Sequence, residues 1–326
     1  MAKDTLVRVT NLTKYFPTKI GLFKHRRQFL KAVDDVSFGI SKGDNLALVG
    51  ESGCGKTTTA RLILRLIGPT AGSVYFAEKD LFNLAEDEMR LMRPQMQLVC
   101  QDPYASLNPR KTIRQILSKP FKLHTNMPKD EIEDKVLHLL EIVGLTPPEL
   151  FVDRHPHEFS GGQRQRICIA RAIALNPSFV VADEPVSALD VSVRAQILNL
   201  LKDLQARLAA TYLFITHDLA VVRSVCNRVA VMYLGKLVEL GEVSTLFKAP
   251  LHPYTEALLS ATPIPDPERS RSRERLILHG DVPSPINPPL GCRFHTRCPL
   301  AVEKCRLSEP QLTESRGRLV ACHLRT

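Results

Sequence analysis

An α/β fold with a largely parallel sheet is what the sequence predicts, and three observations predict it. Short apolar runs alternate with helical stretches along most of the chain. One such run opens into a glycine-rich turn that leads into a helix, and another closes on two adjacent carboxylates. The 326 residues, 44% hydrophobic and 24% charged, supply enough apolar material for a full core. That length leaves room for about two domains.

DNLALV (44–49) reads as a buried strand running into the turn, and a helix is expected from about Gly55 to Ile67. MQLVC (96–100), FVVAD (179–183), YLFIT ending at Thr216 and RVAVMYL (228–234) are short apolar runs consistent with core strands. From roughly 110 to 175 the chain turns helical, with EIEDKVLHLLEIVG carrying apolar residues at helical spacing, which predicts a helical insert in the sheet domain. LHPYTEALLSATP (251–263) predicts one helix stopped by proline. The stretches PIPDPERSRSRERL and DVPSPINPPLG that follow are proline-rich and are expected to hold no regular structure. No internal repeat is visible.

Composition excludes some classes. No run of 18 apolar residues exists, so no segment is expected to span a bilayer. The start, MAKDTLVRVT, lacks the apolar stretch of a secretion signal, so the chain is expected to stay in the cytosol, where structural disulfides are disfavoured. The formal charge is +10, with basic clusters at KHRR (24–27) and RSRSRER (269–275). Such clusters suit nucleic acid, an anionic membrane surface, a phosphate ligand or merely solvent. Charge alone does not decide.

The chemistry begins at GESGCGKT, which fits G-x-x-x-x-G-K-[ST] between a strand and a helix. Glycines let backbone N–H groups curl around phosphates, and the helix N-terminus adds positive potential. The nucleotide-contacting stretch is therefore Gly50, Glu51, Ser52, Gly53, Cys54, Gly55, Lys56, Thr57 and Thr58. Lys56 is expected to reach the β- and γ-phosphates and Thr57 to place its hydroxyl on Mg²⁺. FVVADE supplies the complement: Asp183 puts a carboxylate near the metal, and Glu184, one residue on, can polarise an attacking water.

At FSGGQRQR (159–166) the chain resembles the ATP-binding subunits of ABC transporters, whose signature LSGGQ it matches with Phe in place of Leu. The resemblance covers roughly residues 5 to 250 and implies a P-loop NTPase fold with a RecA-like sheet core, a helical subdomain (about 105–176) and an antiparallel β subdomain. It also implies a head-to-tail dimer with ATP between subunits, one face of the γ-phosphate meeting Ser160, Gly161, Gly162 and Gln163 of the opposite copy. Gln101, in LVCQDPYASLNPR, matches the glutamine that senses Mg²⁺ and water and faces the membrane partner. Asp190, in SALD, is expected at the dimer interface, and His217, in FITHDLA, matches the switch histidine. Phe16, in NLTKYFP, aligns with the aromatic that stacks on adenine, with Tyr15 as its rival. The implied catalytic set is Glu184, His217 and Gln101, with Thr57, Gln101 and Asp183 around Mg²⁺.

Within that family ESGCGKTT, QDPYASLNPR and HPYTEALLSATPIPDP resemble the ATPases of dipeptide and oligopeptide importers. The resemblance implies a peripheral protein on the cytoplasmic face of the inner membrane, and no nucleic-acid ligand. Its implied partners are a second ATPase subunit, identical or paralogous, two permease subunits and, through them, an external solute-binding protein. An exporter subunit, or a soluble ATPase of this family acting on nucleic acid, is the alternative. Residues 251–326 read as a C-terminal accessory segment after a nucleotide-binding domain of 1–250. The segment ends in GCRFHTRCPLAVEKC (291–305), with one more cysteine at 322. Cys292, Cys298, Cys305 and Cys322 lack the close C-x₂-C pairs usual for zinc. Four thiolates can hold an iron–sulfur cluster, and a [4Fe–4S] cluster is what the importer resemblance implies; zinc, with His295 or His323 as substitutes, and unliganded thiols stay open. A segment with few large apolar residues cannot bury a core alone, which makes a metal staple reasonable.

Overall fold

The computed structural model describes residues 4–19, 27–262, 276, 278 and 280–325. The basic cluster at 269–275 lies outside the described residues, as does that at 24–27 apart from the backbone of Arg27. Two compact units are present: residues 1–82 with 215–326, and residues 83–214.

In the first unit the long strands Thr5–Lys19 and Arg27–Ser41 pair antiparallel, and Ala71–Phe76 followed by Lys79–Asp80 continues the sheet from the first of them. This is the antiparallel β subdomain. Val7, Val9, Leu12, Val33, Val36 and Ile40 are buried from it. The ladder shifts register where Asn11 and Asp35 adopt positive φ. Asn and Asp tolerate that conformation best, and here Asn11 Nδ2 donates to Asp35 Oδ1 at 2.7 Å.

A second sheet of this unit sets Asn45–Val49 parallel to Arg228–Tyr233. Leu234 and Gly235, both at positive φ, turn the chain into the antiparallel strand Lys236–Glu242. On its far side Arg318–Val320 pairs with it, and Thr313–Ser315 with that strand in turn. The end of the cysteine segment thus joins a sheet, while 281–290 holds neither helix nor strand. Glu239, fully buried, accepts the N–H groups of Leu251 and His252 at 3.0 and 2.9 Å and lies 3.5 Å from Arg318 Nε. Phe294, 1% exposed, packs edge-on to Tyr233 at 5.2 Å and against Tyr254 and His252. Burial drives the His252 imidazole down to about 3 and keeps it neutral; its Nδ1 accepts the Tyr254 N–H.

The helix after the turn runs Lys56–Ile63, shorter than the sequence predicts. Arg65 takes φ 48°, its N–H reaches Leu62 O, and the Leu66 N–H reaches Arg61 O, which is the closing pair of a Schellman cap. Glycine usually marks such an end; arginine gives no warning.

The second unit holds the parallel pair Met96–Val99 and Phe179–Asp183, and the strand Thr211–Thr216, of which residues 211–214 belong to this unit, lies beside the latter. Its helices are Ile113–His124, Lys129–Ile142, Gly161–Ile173 and Val191–Leu208, besides shorter ones at Glu86–Met92 and Pro103–Ser106. Ile113, Ile116, Leu117 and Phe121 form the buried face of the first of these, after a Thr112/Gln115 capping box. Lys129–Ile142 ends at Gly144 (φ 73°), with Leu145 N–H on Leu140 O.

Asp34 joins the first unit's strands to its tail. It accepts from Tyr15 Oη at 2.6 Å and from Arg293, which also donates to Leu234 O. Burial alone would raise the Asp34 carboxyl, but Tyr15 and Arg293 outweigh it and hold it below the usual carboxylate range. A carboxyl held low only in the folded chain favours folding above about pH 4, and the benefit is lost as pH falls through its folded value. Asp34→Asn is therefore expected to lose about 3 kcal/mol in urea unfolding at pH 7, with the gap to the unaltered chain closing in acid.

Candidate active site

Gly50 and Gly55 decide the shape of the turn in the first unit. A Cβ at Gly50 would strike the carbonyl oxygen of Met232, and one at Gly55, where φ is 108°, the carbonyl oxygen of Ala32. The loop is pressed onto backbone that no side chain could share. Lys56, only 6% exposed, folds back so that Nζ donates to Gly50 O at 2.8 Å and to Glu51 O at 2.9 Å. An ammonium at the centre of a curl of backbone, at a helix start, is a ready anion site. Ser52 and Gly53 are exposed on its rim, and Thr57 and Thr58 are half-buried. Cys54 turns inward; burial raises its thiol pKa, against the pull of Lys56.

Phe16 is 36% exposed, with Lys14 Nζ 5.1 Å from its ring centroid. Tyr15 instead spends its hydroxyl on Asp34, and burial followed by that bond pushes its pKa up to about 12. The open aromatic face is therefore that of Phe16. His217 is exposed just past Thr211–Thr216, before Asp218, which caps the next helix by accepting the Ala220 N–H at 2.8 Å.

In the second unit Asp183 ends its strand 7% exposed. Glu184 follows at φ 44°, a left-handed conformation costly for a residue with a Cβ. Ser187 holds it there, its N–H and hydroxyl both donating to Glu184 O at 3.2 and 3.1 Å. Gln101, exposed, donates its amide Nε2 to Glu184 Oε2 at 2.9 Å, so these two expected residues meet. Ser160 is the N-cap of Gly161–Ile173 in a reciprocal box: its Oγ accepts the Gln163 N–H at 3.3 Å, and Gln163 Oε1 accepts the Ser160 N–H at 3.0 Å. A Cβ on Gly162 would lie 2.5 Å from Val193 Cγ1, so the small residue lets this helix tip pack against Val191–Leu208. Asp190 stands exposed at the start of that longer helix.

Two residues beyond the motifs also touch the loop. Glu51 donates its N–H to Tyr254 Oη at 2.9 Å, and its carboxylate is paired with Arg297 at 2.9 and 3.1 Å. Nothing in the sequence links positions 246 residues apart.

The cluster expectation finds no support in the structure. Among the described residues no three His, Cys, Asp or Glu side chains form a group able to hold a metal ion. Cys292, Cys298, Cys305 and Cys322 are near enough for the other three to raise Cys292, but burial is the larger cause that pushes its thiol up to about 11, and burial raises Cys298 likewise. The tail is stapled by Phe294, Arg293 and Arg318.

Residues 33–187 match the family described as ABC transporter, and residues 238–305 the C-terminal region of oligopeptide/dipeptide transporters. The chain is 52% identical over 324 residues to the oligopeptide transport ATP-binding protein AppF of Bacillus subtilis, covering 99% of this chain and 98% of that one. It is 51% identical over 318 residues to the dipeptide transport ATP-binding protein DppF of Haemophilus influenzae, covering 97% and 96%. Among solved structures, the dimeric ATP-binding cassette MJ0796 in a post-hydrolysis state bound to ADP and Pi is 30% identical with a TM-score of 0.64, over 73% of this chain and 98% of that one. The fold and its phosphate loop define a P-loop NTPase. The chain belongs to the ATP-binding proteins of the ABC transporter family.

Gly55→Ala is expected to abolish binding of a fluorescent ATP analogue, because the loop must leave Ala32 to admit the methyl group. Ser160→Ala should cost about 1 kcal/mol in urea unfolding through the lost helix cap.

Proposed function

We propose that this chain is the ATP-hydrolysing subunit of an importer for dipeptides, oligopeptides or similar small solutes. The observation that carries the reading is a phosphate loop closed around Lys56, in a chain whose full-length relatives are peptide-transport ATP-binding proteins. The match of 238–305 to the C-terminal region of oligopeptide/dipeptide transporters favours import of peptides over the alternatives.

Lys56 and the amides of Gly50–Thr58 bind the triphosphate, and Phe16 offers its ring to the adenine. Thr57, Gln101 and Asp183 are oxygen donors of the type Mg²⁺ takes; the ion, when bound with ATP, would neutralise phosphate charge. Glu184 orients or deprotonates the water that attacks the γ-phosphorus, and Gln101 steadies its carboxylate. His217 and, from the opposite subunit, Ser160 with Gly161, Gly162 and Gln163 brace the γ-phosphate, with Asp190 at the interface. Two subunits close on two ATP molecules and act through the Gln101 segment on two permease subunits, which a solute-binding protein supplies from outside. The protein is then peripheral, on the cytoplasmic face of the inner membrane; among the described residues no helix is long and apolar enough to cross one. Residues 1–250 form the nucleotide-binding domain and 251–326 its accessory segment.

The test is Glu184→Gln, which is expected to bind ATP and dimerise normally while hydrolysis falls about 10²–10⁴-fold. Near-normal phosphate release by that variant, measured in the reconstituted transporter, would remove Glu184 from its role.

A further inference from the structure

Every polar part of Glu51 is engaged. Its N–H donates to Tyr254 Oη at 2.9 Å, its carbonyl accepts from Lys56 Nζ at 2.9 Å, and its carboxylate takes both contacts from a single nitrogen of Arg297, Nη1, at 2.9 and 3.1 Å. The pair is largely shielded from water, with the Arg297 side chain 9% and the Glu51 side chain 26% exposed. Arg297 is itself held. Its N–H donates to Phe294 O at 3.0 Å, and Phe294 is wedged between Tyr233 and Tyr254. One aromatic block therefore carries both groups that reach residue 51.

A carboxylate at this place has an electrostatic consequence. Left unopposed, a negative charge on the loop would compete for the Lys56 ammonium and repel an incoming triphosphate. The guanidinium cancels that charge and fixes the entrance of the loop.

We propose that Arg297, in the cysteine-bearing tail, is a positioning residue for nucleotide binding, acting through Glu51 on the curve of the phosphate loop. The inference rests on the ATPase reading above. It makes the tail a working part of the nucleotide site.

The test uses the full chain, MgATP titration and steady-state hydrolysis. Arg297→Ala is expected to raise the Kd and KM for MgATP about tenfold, the scale of a lost charged hydrogen bond, while kcat changes less than about threefold, as for a loss confined to ground-state binding. Because one nitrogen makes both contacts, Arg297→Lys should restore most of the affinity. Because the harm comes from the bared carboxylate, adding Glu51→Gln to Arg297→Ala should also restore it, and the defect of the single variant should deepen at low salt. Should Arg297→Ala fail to fold, Arg297→Gln keeps the bulk without the charge and carries the same comparison. Wild-type affinity in a folded, charge-free variant would overturn the proposal, as would a defect that persists undiminished beside Glu51→Gln. Absence of MgATP binding by the unaltered chain would instead overturn the ATPase reading itself.

Discussion

Lys56 keeps its ammonium against the carbonyls of Gly50 and Glu51, and the turn between them closes that far only because Gly50 and Gly55 lie where Met232 and Ala32 present their carbonyl oxygens. The rest of the first unit is arranged to hold that closeness. Cys54 O accepts the N–H of Gly235, at the tip of the hairpin joining Arg228–Tyr233 to Lys236–Glu242. The loop thus leans on a turn, and the turn on a sheet. That sheet is completed by a strand from the far end of the chain, Arg318–Val320, whose Arg318 faces the fully buried Glu239. Removing a buried ionic partner leaves an uncompensated charge, so the join is costly to break.

The second unit places strain where the proposed chemistry is. Glu184 could relax toward negative φ were its carbonyl not held by Ser187 and its carboxylate by Gln101. Backbone cost persists only where surroundings over-determine it, and here the over-determining residues are two that the motifs already mark. Ser160 differs in kind: its hydroxyl closes a helix cap, so the same side chain that finishes the helix stands at the tip where backbone N–H groups converge.

How much of this was legible in the sequence follows from the range of the interactions involved. The phosphate loop, the strand ending in Asp183 and the capped start of Gly161–Ile173 are local patterns, read from residues a few positions apart. The Gly144 helix end was similarly open to reading, whereas Arg65 takes the same left-handed role without the residue that normally announces it. The antiparallel strands Thr5–Lys19 and Arg27–Ser41 were implied by resemblance, not by periodicity, because bulges at Asn11 and Asp35 break the alternation. Arg297 beside Glu51 lay beyond reach: the pair exists only because Phe294 docks where it does.

The cysteine-bearing tail is anchored by packing against the first unit's core. A short segment unable to bury its own core has two remedies, a bound metal or another domain's core, and cysteine spacing speaks only to the first. Here Phe294 enters the cluster of Tyr233, Tyr254, Val231 and Leu246, and Cys292 and Cys298 pack on its border. Cys322 lies with Leu251 and Val320 in a smaller cluster. Cys292 and Cys298 are small side chains at an apolar border, and burial penalises their charged form. The tail is further held by its arginines, Arg293 on Asp34, Arg297 on Glu51 and Arg318 near Glu239, each a cation brought to a partly or fully shielded carboxylate.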